Sequence, residues 1–380
     1  MTTIYLDHAA TSPMAKEVIE VMTNAMGAVY GNASSIHTAG RDARKHLDAA
    51  RDVLAKQLGV HQNEIIFTSG GTEADNSAIF GTAYARQKEG KHIITTQIEH
   101  HAVLHACEKL QSEGFEITYL PVNEKGQVSV EAVKAALRED TILVTIMYGN
   151  NEVGTVQPIA QIGELLKEHK ATFHTDAVQA FGLEQLRPQE LHVDLLSVSA
   201  HKINGPKGIG FLYVKAGTKL ANFMHGGSQE RKRRAGTENI PAAAGFAKAA
   251  QLAEQNREEN REKYNRFKQL LIEQFAQAGI DYTVNGDPQN SLPHVFNVSF
   301  RGMSVESFLI NLDMAGVLVS SGSACTAGSI DPSHVLVAMF GKDAEQLRSS
   351  IRFSFGLGLT EEDVQTAGER TAQIVKRLVK

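Results

Sequence analysis

Seven short apolar runs, alternating with helical patterns, constrain the fold of this 380-residue chain more than any other feature. The runs are Ile65–Thr68, His92–Thr95, Ile117–Leu120, Ile142–Met147, Thr172–Thr175, Leu195–Val198 and Gly208–Val214. Helical patterns lie between most of them: Thr72–Gln87, Ala102–Glu113, Val130–Leu137 and Ile159–His169. A helix between two strands returns the chain to its starting edge, so successive strands run the same way. Near-continuous apolar strands also need cover on both faces. The pattern therefore predicts an α/β fold with a mostly parallel seven-stranded sheet flanked by helices.

The last third of the chain reads differently. Pro241 opens the longest helical pattern and Gly279 closes it, the usual asymmetry of helix ends. Its middle, Gln255–Lys263, is dense in Glu, Arg and Asn and reads as solvated. Strands at Tyr282–Val284, Val295–Phe300 and Ile351–Phe355 follow, with helices at Val305–Ala315 and Glu361–Leu378. This predicts a smaller α+β unit. The expected division is a large domain over residues 15–256 and a small domain of residues 1–14 and 257–380.

A formal net charge of -5 gives no field that draws the chain to nucleic acid or anionic lipid. The basic run Arg231–Arg234 reads as a loop. No apolar run approaches ~18 residues, so no membrane span is expected. The start, MTTIYLDHAATSP, has no apolar signal core. Two cysteines, Cys107 and Cys325, are too few for a disulfide framework. A reducing, cytoplasmic setting is expected. The 15 histidines show no H-E-x-x-H or C-x-x-C pairing, so no metal site is expected.

Lys202 follows an apolar strand and precedes a glycine-rich turn, in SVSAHKINGPKGIG. That is the carboxyl end of a strand, where open α/β sheets bind ligands. Alone it would read as a loop lysine, but three features join it. Asp176, in TDAVQ, also ends a strand and could pair with a pyridinium nitrogen, or cap a helix. Gly71 and Thr72, in TSGGTE, join a strand to a helix whose amino end suits an anion. His100 follows the strand at His92 and could stack on a ring and move protons. In this order the features resemble fold-type I enzymes that use pyridoxal phosphate (PLP), with Lys202 as the lysine that binds the cofactor covalently.

Ser320–Gly328 reads SSGSACTAG, nearly all small residues. Cys325 therefore lacks the apolar shelter of a structural cysteine and reads as a nucleophile on a loop that moves. Cys107 lies in a helical pattern and reads as a small core residue.

The whole chain resembles the cysteine desulfurases of the NifS/IscS family, in its short SSGSAC-loop class. The motifs that carry this are YLDHAATSP, GNASSIH, TSGGTEADN, EHHAV, NNEVGTVQPI, HTDAVQA, SAHKINGPKGIG, GGSQERKRRAGTEN, SSGSACTAG and SIRFSFG. The resemblance implies PLP on Lys202, with Asp176 at its ring nitrogen, Gln179 at its ring oxygen, His100 on its face and Asn150 beside it. Gly71, Thr72, Ser199 and His201 would hold the phosphate. Thr237 would reach the phosphate of a second subunit, which implies a homodimer. Asn32, Asn150 and Arg352 would bind the substrate. Lys202 and His100 would move protons, and Cys325 would take sulfur from L-cysteine, leaving L-alanine. The persulfide would pass to an acceptor protein, a tRNA 2-thiouridylase or an iron–sulfur scaffold. Cys325 could hold an iron–sulfur cluster only transiently, since one cysteine cannot hold a cluster alone. On the resemblance, the tail with which relatives dock the scaffold is expected to be absent after Lys380, which would make a tRNA-thiolating enzyme a comparably good acceptor. Asn204 stands where relatives often have an aromatic residue, and Ala327 where many have serine. A PLP lyase or aminotransferase without a covalent sulfur step, and a sulfur-relay or interaction protein that is slow alone, are the alternatives.

Overall fold

The computed structural model describes residues 3–322, 325–326, 329–330 and 332–379, the two short pairs by backbone alone. The chain enters through β1 (Ile4–Tyr5) and two helices, Lys16–Ala28 and Thr38–Leu58. It then builds β2 (Ile65–Thr68), β3 (His92–Thr96), β4 (Glu116–Leu120) and β5 (Thr141–Thr145). Next come β6 (Thr172–Asp176), β7 (Leu195–Ser199) and β8 (Gly210–Val214). Among the described residues these form one seven-stranded sheet in the order β2-β8-β7-β6-β5-β3-β4.

The pairs from β7 through β4 are parallel, while β8 runs antiparallel to both β7 and β2. Connection length explains the exception. Residues 200–209 are too few for a crossover helix, so the chain turns back on itself. Every residue of β3, β5, β6, β7 and β8 is buried, as a sheet covered on both faces requires.

The single long helix expected from Pro241 to Gly279 is two helices. Ile240–Gln255 and Arg257–Gln277 meet at Asn256, whose φ of -104° and ψ of 9° leave the helical region. The break lets the two helices face different cores. Ala243, Phe246 and Ala250 pack with the large sheet, whereas Phe267, Leu271 and Phe275 pack elsewhere. Asparagine tolerates such a break because its short polar side chain competes for backbone hydrogen bonds.

The second core forms around a three-stranded antiparallel sheet. Its strands are β9 (Tyr282–Asn285), β10 (Val295–Phe300) and β14 (Ser350–Ser354), in the order β14-β10-β9. Phe300, Phe308, Phe353 and Phe355 fill it together with Ile4 and Leu6 from the amino terminus. Between β10 and β14 lie β11 (Val317–Leu318), β12 (Cys325–Thr326) and β13 (Ser329–Ile330). β1 pairs with β11 in parallel, and β12 pairs with β13 antiparallel. The N-terminal strand thus ties residues 4–5 to the segment that leads into the cysteine loop. No described helix is long and apolar enough to cross a membrane.

Candidate active site

The strands β2, β3, β5, β6 and β7 all point their carboxyl ends to one edge of the large sheet. A cavity of ≈ 350 Å³ opens there. This lies in the usual range for small-ligand sites, about 300–1,000 Å³.

Lys202 enters from a single 3₁₀ turn, Ala200–Lys202, directly after β7. Its Nζ donates to Ala9 O at 2.5 Å and Ala10 O at 2.8 Å, so the N-terminal segment holds the amine in place. Burial first, and then the charge of Arg352, lower its pKa to about 8 against the pull of Asp176 and Asp7. An amine with that pKa is about a tenth unprotonated, and so nucleophilic, at pH 7, against roughly one part in 2,500 for an ordinary lysine. In the cofactor-free protein, the rate of Lys202 acylation by an amine-selective reagent should rise with pH through a midpoint near 8. An ordinary lysine would give a midpoint near 10.4. Mass spectrometry of the modified peptide checks this.

Asp176 ends β6. Its carboxylate accepts from Val178 N at 2.9 Å, so the residue both lines the cavity and caps the turn after it. Burial raises its pKa to about 6. A cationic partner facing it would reverse that cost.

His100 caps the helix His101–Ser112, and its Nδ1 accepts from Ala102 N at 3.1 Å. Burial, with Lys202 nearby, lowers its pKa to about 4. The neutral imidazole therefore carries its proton on Nε2. Gln179 also lines the cavity, and its Nε2 donates to Ala9 O at 3.0 Å.

Gly71, Thr72, Ser199 and His201 line both this cavity and an adjoining hollow of ≈ 300 Å³ that Lys207 also borders. Gly71 begins the helix Gly71–Arg86, so unpaired N–H groups face the junction of the two spaces. A side chain at Gly71 would meet Val178 Cγ2 at 2.8 Å, so the approach needs glycine there.

Arg352, on β14, closes the far side. Its Nη2 donates to Asp7 Oδ1 at 2.7 Å and its Nη1 to Asn151 O at 2.9 Å. Its Nε is buried without a protein partner among the described residues. A guanidinium so held is a fork that keeps donors in reserve.

Three residues expected at the site stand outside this cavity. Asn150 is fully buried, but its side chain is committed to Ile98 O, Glu152 N and Val153 N. It shapes the turn from which Gly149 and Asn151 line the cavity. Asn32 is exposed, and its Oδ1 accepts from Ser34 N. Thr237 is exposed on the loop after Arg234, outside this chain's own cavity. The side chain of Cys325, and all of Ala327, lie outside the described residues. Asp75, on the helix from Gly71, also lines the cavity and was not read from the sequence. Burial and the charge of Asp176 hold its carboxyl well above the usual range. An acid one turn beyond Gly71-Thr72 was the available signal.

The donor set fits PLP. A buried low-pKa amine suits its aldehyde, a buried carboxylate its ring nitrogen, and a glycine-opened helix amino end its phosphate. The fold and the site thus define a fold-type I PLP-dependent enzyme.

Comparisons with known proteins narrow this. The family model "Aminotransferase class-V" matches residues 4–366. The chain is 61% identical over 378 residues to "Putative cysteine desulfurase IscS 1" of Bacillus subtilis (strain 168), covering 100% of both chains. Among solved structures, a "NIFS-like protein" superposes with a TM-score of 0.93 at 34% identity, covering 99% of this chain and 100% of that one. The structure "SspA in complex with cysteine" matches with a TM-score of 0.81 at 36% identity, covering 93% and 99% respectively. The chain belongs to the class-V aminotransferase family, among its PLP-dependent cysteine desulfurases of the NifS/IscS type.

Proposed function

We propose that this enzyme removes sulfur from L-cysteine, giving L-alanine and a persulfide on Cys325, which it passes to an acceptor protein. The observation that carries this reading is the convergence of Lys202, Asp176 and Arg352 on one cavity. A solved relative, SspA, was captured in complex with cysteine.

Bound PLP supplies an electron sink for the substrate's Cα. Lys202 would attach it and, once freed, move the Cα proton with its Nζ. Asp176 would keep the ring nitrogen protonated, and Gln179 would hold the ring oxygen. Gly71, Thr72, Ser199 and His201 would hold the phosphate. His100, neutral with its proton on Nε2, would cover the ring and hand a proton to the departing three-carbon unit. Arg352 would bind the substrate carboxylate. Cys325 Sγ would attack the substrate sulfur: the S–S bond forms as the Cβ–S bond breaks, and the electron pair stays with carbon. Net, one cysteine and one thiol become one alanine and one persulfide.

The small domain, residues 1–14 and 257–380, would carry the cysteine loop to the site on the large domain. Exposed Thr237 and the loop around it suit a homodimer in which each subunit completes the other's phosphate site. A tRNA 2-thiouridylase or an iron–sulfur scaffold in the cytoplasm would take the sulfur.

Incubating the protein with L-cysteine and a thiol reductant tests the reading. Sulfide and alanine should form in equal amounts, and formation of neither would refute it. Arg352→Lys should raise KM for L-cysteine about tenfold or more, because an ammonium cannot present the bidentate fork. Steady-state kinetics check this, with the effect expected in KM rather than in kcat.

A further inference from the structure

Behind Lys202 lies a second cavity, of ≈ 180 Å³, whose wall includes His8 and His294. Both imidazoles are more than nine-tenths buried, at 4% and 6% exposure. The Nδ1 of each has no protein partner among the described residues.

The other nitrogen of His294 is informative. Its Nε2 lies 2.9 Å from Gln179 Oε1. Gln179 in turn lines the cofactor cavity, with its Nε2 donating to Ala9 O at 3.0 Å. The polarity of this chain is fixed at its Ala9 end. The Ala9 carbonyl can only accept, so the amide nitrogen faces Ala9 and the amide oxygen faces His294. That oxygen also can only accept, so His294 carries its proton on Nε2. Burial, reinforced by Lys268, Lys202, His8 and Arg352, lowers the pKa of His294 to about 3 and keeps the ring neutral.

We infer that His294 is a positioning residue of the cofactor site: its Nε2–H locks the Gln179 amide with the nitrogen side toward the cofactor's ring oxygen. The inference rests on the proposed role of Gln179 as partner of that oxygen. An amide nitrogen carries two N–H groups. One is spent on Ala9 O, and the lock leaves the second for the cavity. Without His294, only the bond to Ala9 O would oppose a turn of the amide that brings its oxygen toward the ring oxygen and replaces a donor with an acceptor. The same Ala9 carbonyl receives Lys202 Nζ at 2.5 Å. His294, Gln179, Ala9 O and Lys202 therefore form one hydrogen-bonded chain. Its members come from residues 9, 179, 202 and 294, which only the folded structure brings together.

The test uses PLP-loaded wild type, His294→Leu, His294→Gln and Gln179→Leu. Two quantities are read: the dissociation constant of PLP, and the pH midpoint of the change in the protein's long-wavelength absorption band. His294→Leu should weaken PLP binding about tenfold and move the midpoint by about one pH unit. His294→Gln, whose side-chain N–H reaches the same place, should stay within about twofold of wild type. Gln179→Leu should reproduce both effects of His294→Leu. If His294→Leu fails to fold, His294→Asn replaces it, because the shorter amide cannot reach Gln179 and should give the same shifts. A wild-type result for His294→Leu beside a shifted Gln179→Leu would overturn the inference and leave the role of Gln179 standing. So would equal impairment of His294→Gln and His294→Leu, which would assign His294 to packing. A wild-type result for Gln179→Leu would remove the role of Gln179, and the inference with it.

Discussion

Replacing Lys202 with Ala is expected to lower turnover of L-cysteine by about 1,000-fold or more, the scale of a lost general acid–base group. Among the residues lining the main cavity, Lys202 brings the one amine. Arg352 cannot replace it, because a guanidinium does not give up its proton. Folding should survive the change. The amine is held in a site that lowers its pKa by desolvation, so removing it also removes an unfavourable burial. Borohydride treatment of the loaded wild type, followed by peptide mass spectrometry, should find the cofactor fixed to Lys202. The variant should show none. A variant that kept about a tenth of wild-type turnover would move the central chemistry to another residue.

The second large effect belongs to Cys325. Cys325→Ala should abolish persulfide formation, a fall of about 1,000-fold or more, as for an enzyme nucleophile. The absorption of the cofactor and its change on adding L-cysteine should remain. The second cysteine offers no bypass. Cys107 is fully buried in the helix His101–Ser112, and burial pushes its thiol far from the ionised form that attacks. The contrast between the two variants separates the roles: Lys202→Ala loses the covalently held cofactor, whereas Cys325→Ala keeps it and loses only the sulfur. Unchanged sulfide release from Cys325→Ala would favour a lyase that frees sulfur without a covalent step.

The sheet was legible because its signal is physical and local. Every strand but the edge strand β4 is buried throughout, and each crossover helix carries its own period. The break at Asn256 was not legible, because the helical period runs through it. The reason for the break is that two cores compete for the helix, which is a property of tertiary packing.

At the site, residues at strand ends could be read from position: Lys202 after β7, Asp176 at the end of β6, His100 after β3. Others could not. The ion pair of Arg352 with Asp7 joins opposite ends of the chain, and no spacing rule reaches that far. Asp75 looks like an ordinary polar residue in the first turns of a helix until the fold buries it beside Asp176. Asn150 shows the reverse case. The residue is in the right turn, but the backbone claims its side chain and leaves Asn151 and Gly149 at the cavity. Asn32 and Thr237 were named by resemblance alone, and one folded chain keeps both exposed.

The most direct measurement is mass spectrometry of the PLP-loaded protein after brief exposure to L-cysteine without reductant. The account predicts one added sulfur atom, located on the peptide that contains Cys325, together with stoichiometric alanine. It also predicts that a reductant removes the added mass. Alanine formed with no mass added to Cys325, or a persulfide on Cys107 instead, would contradict it.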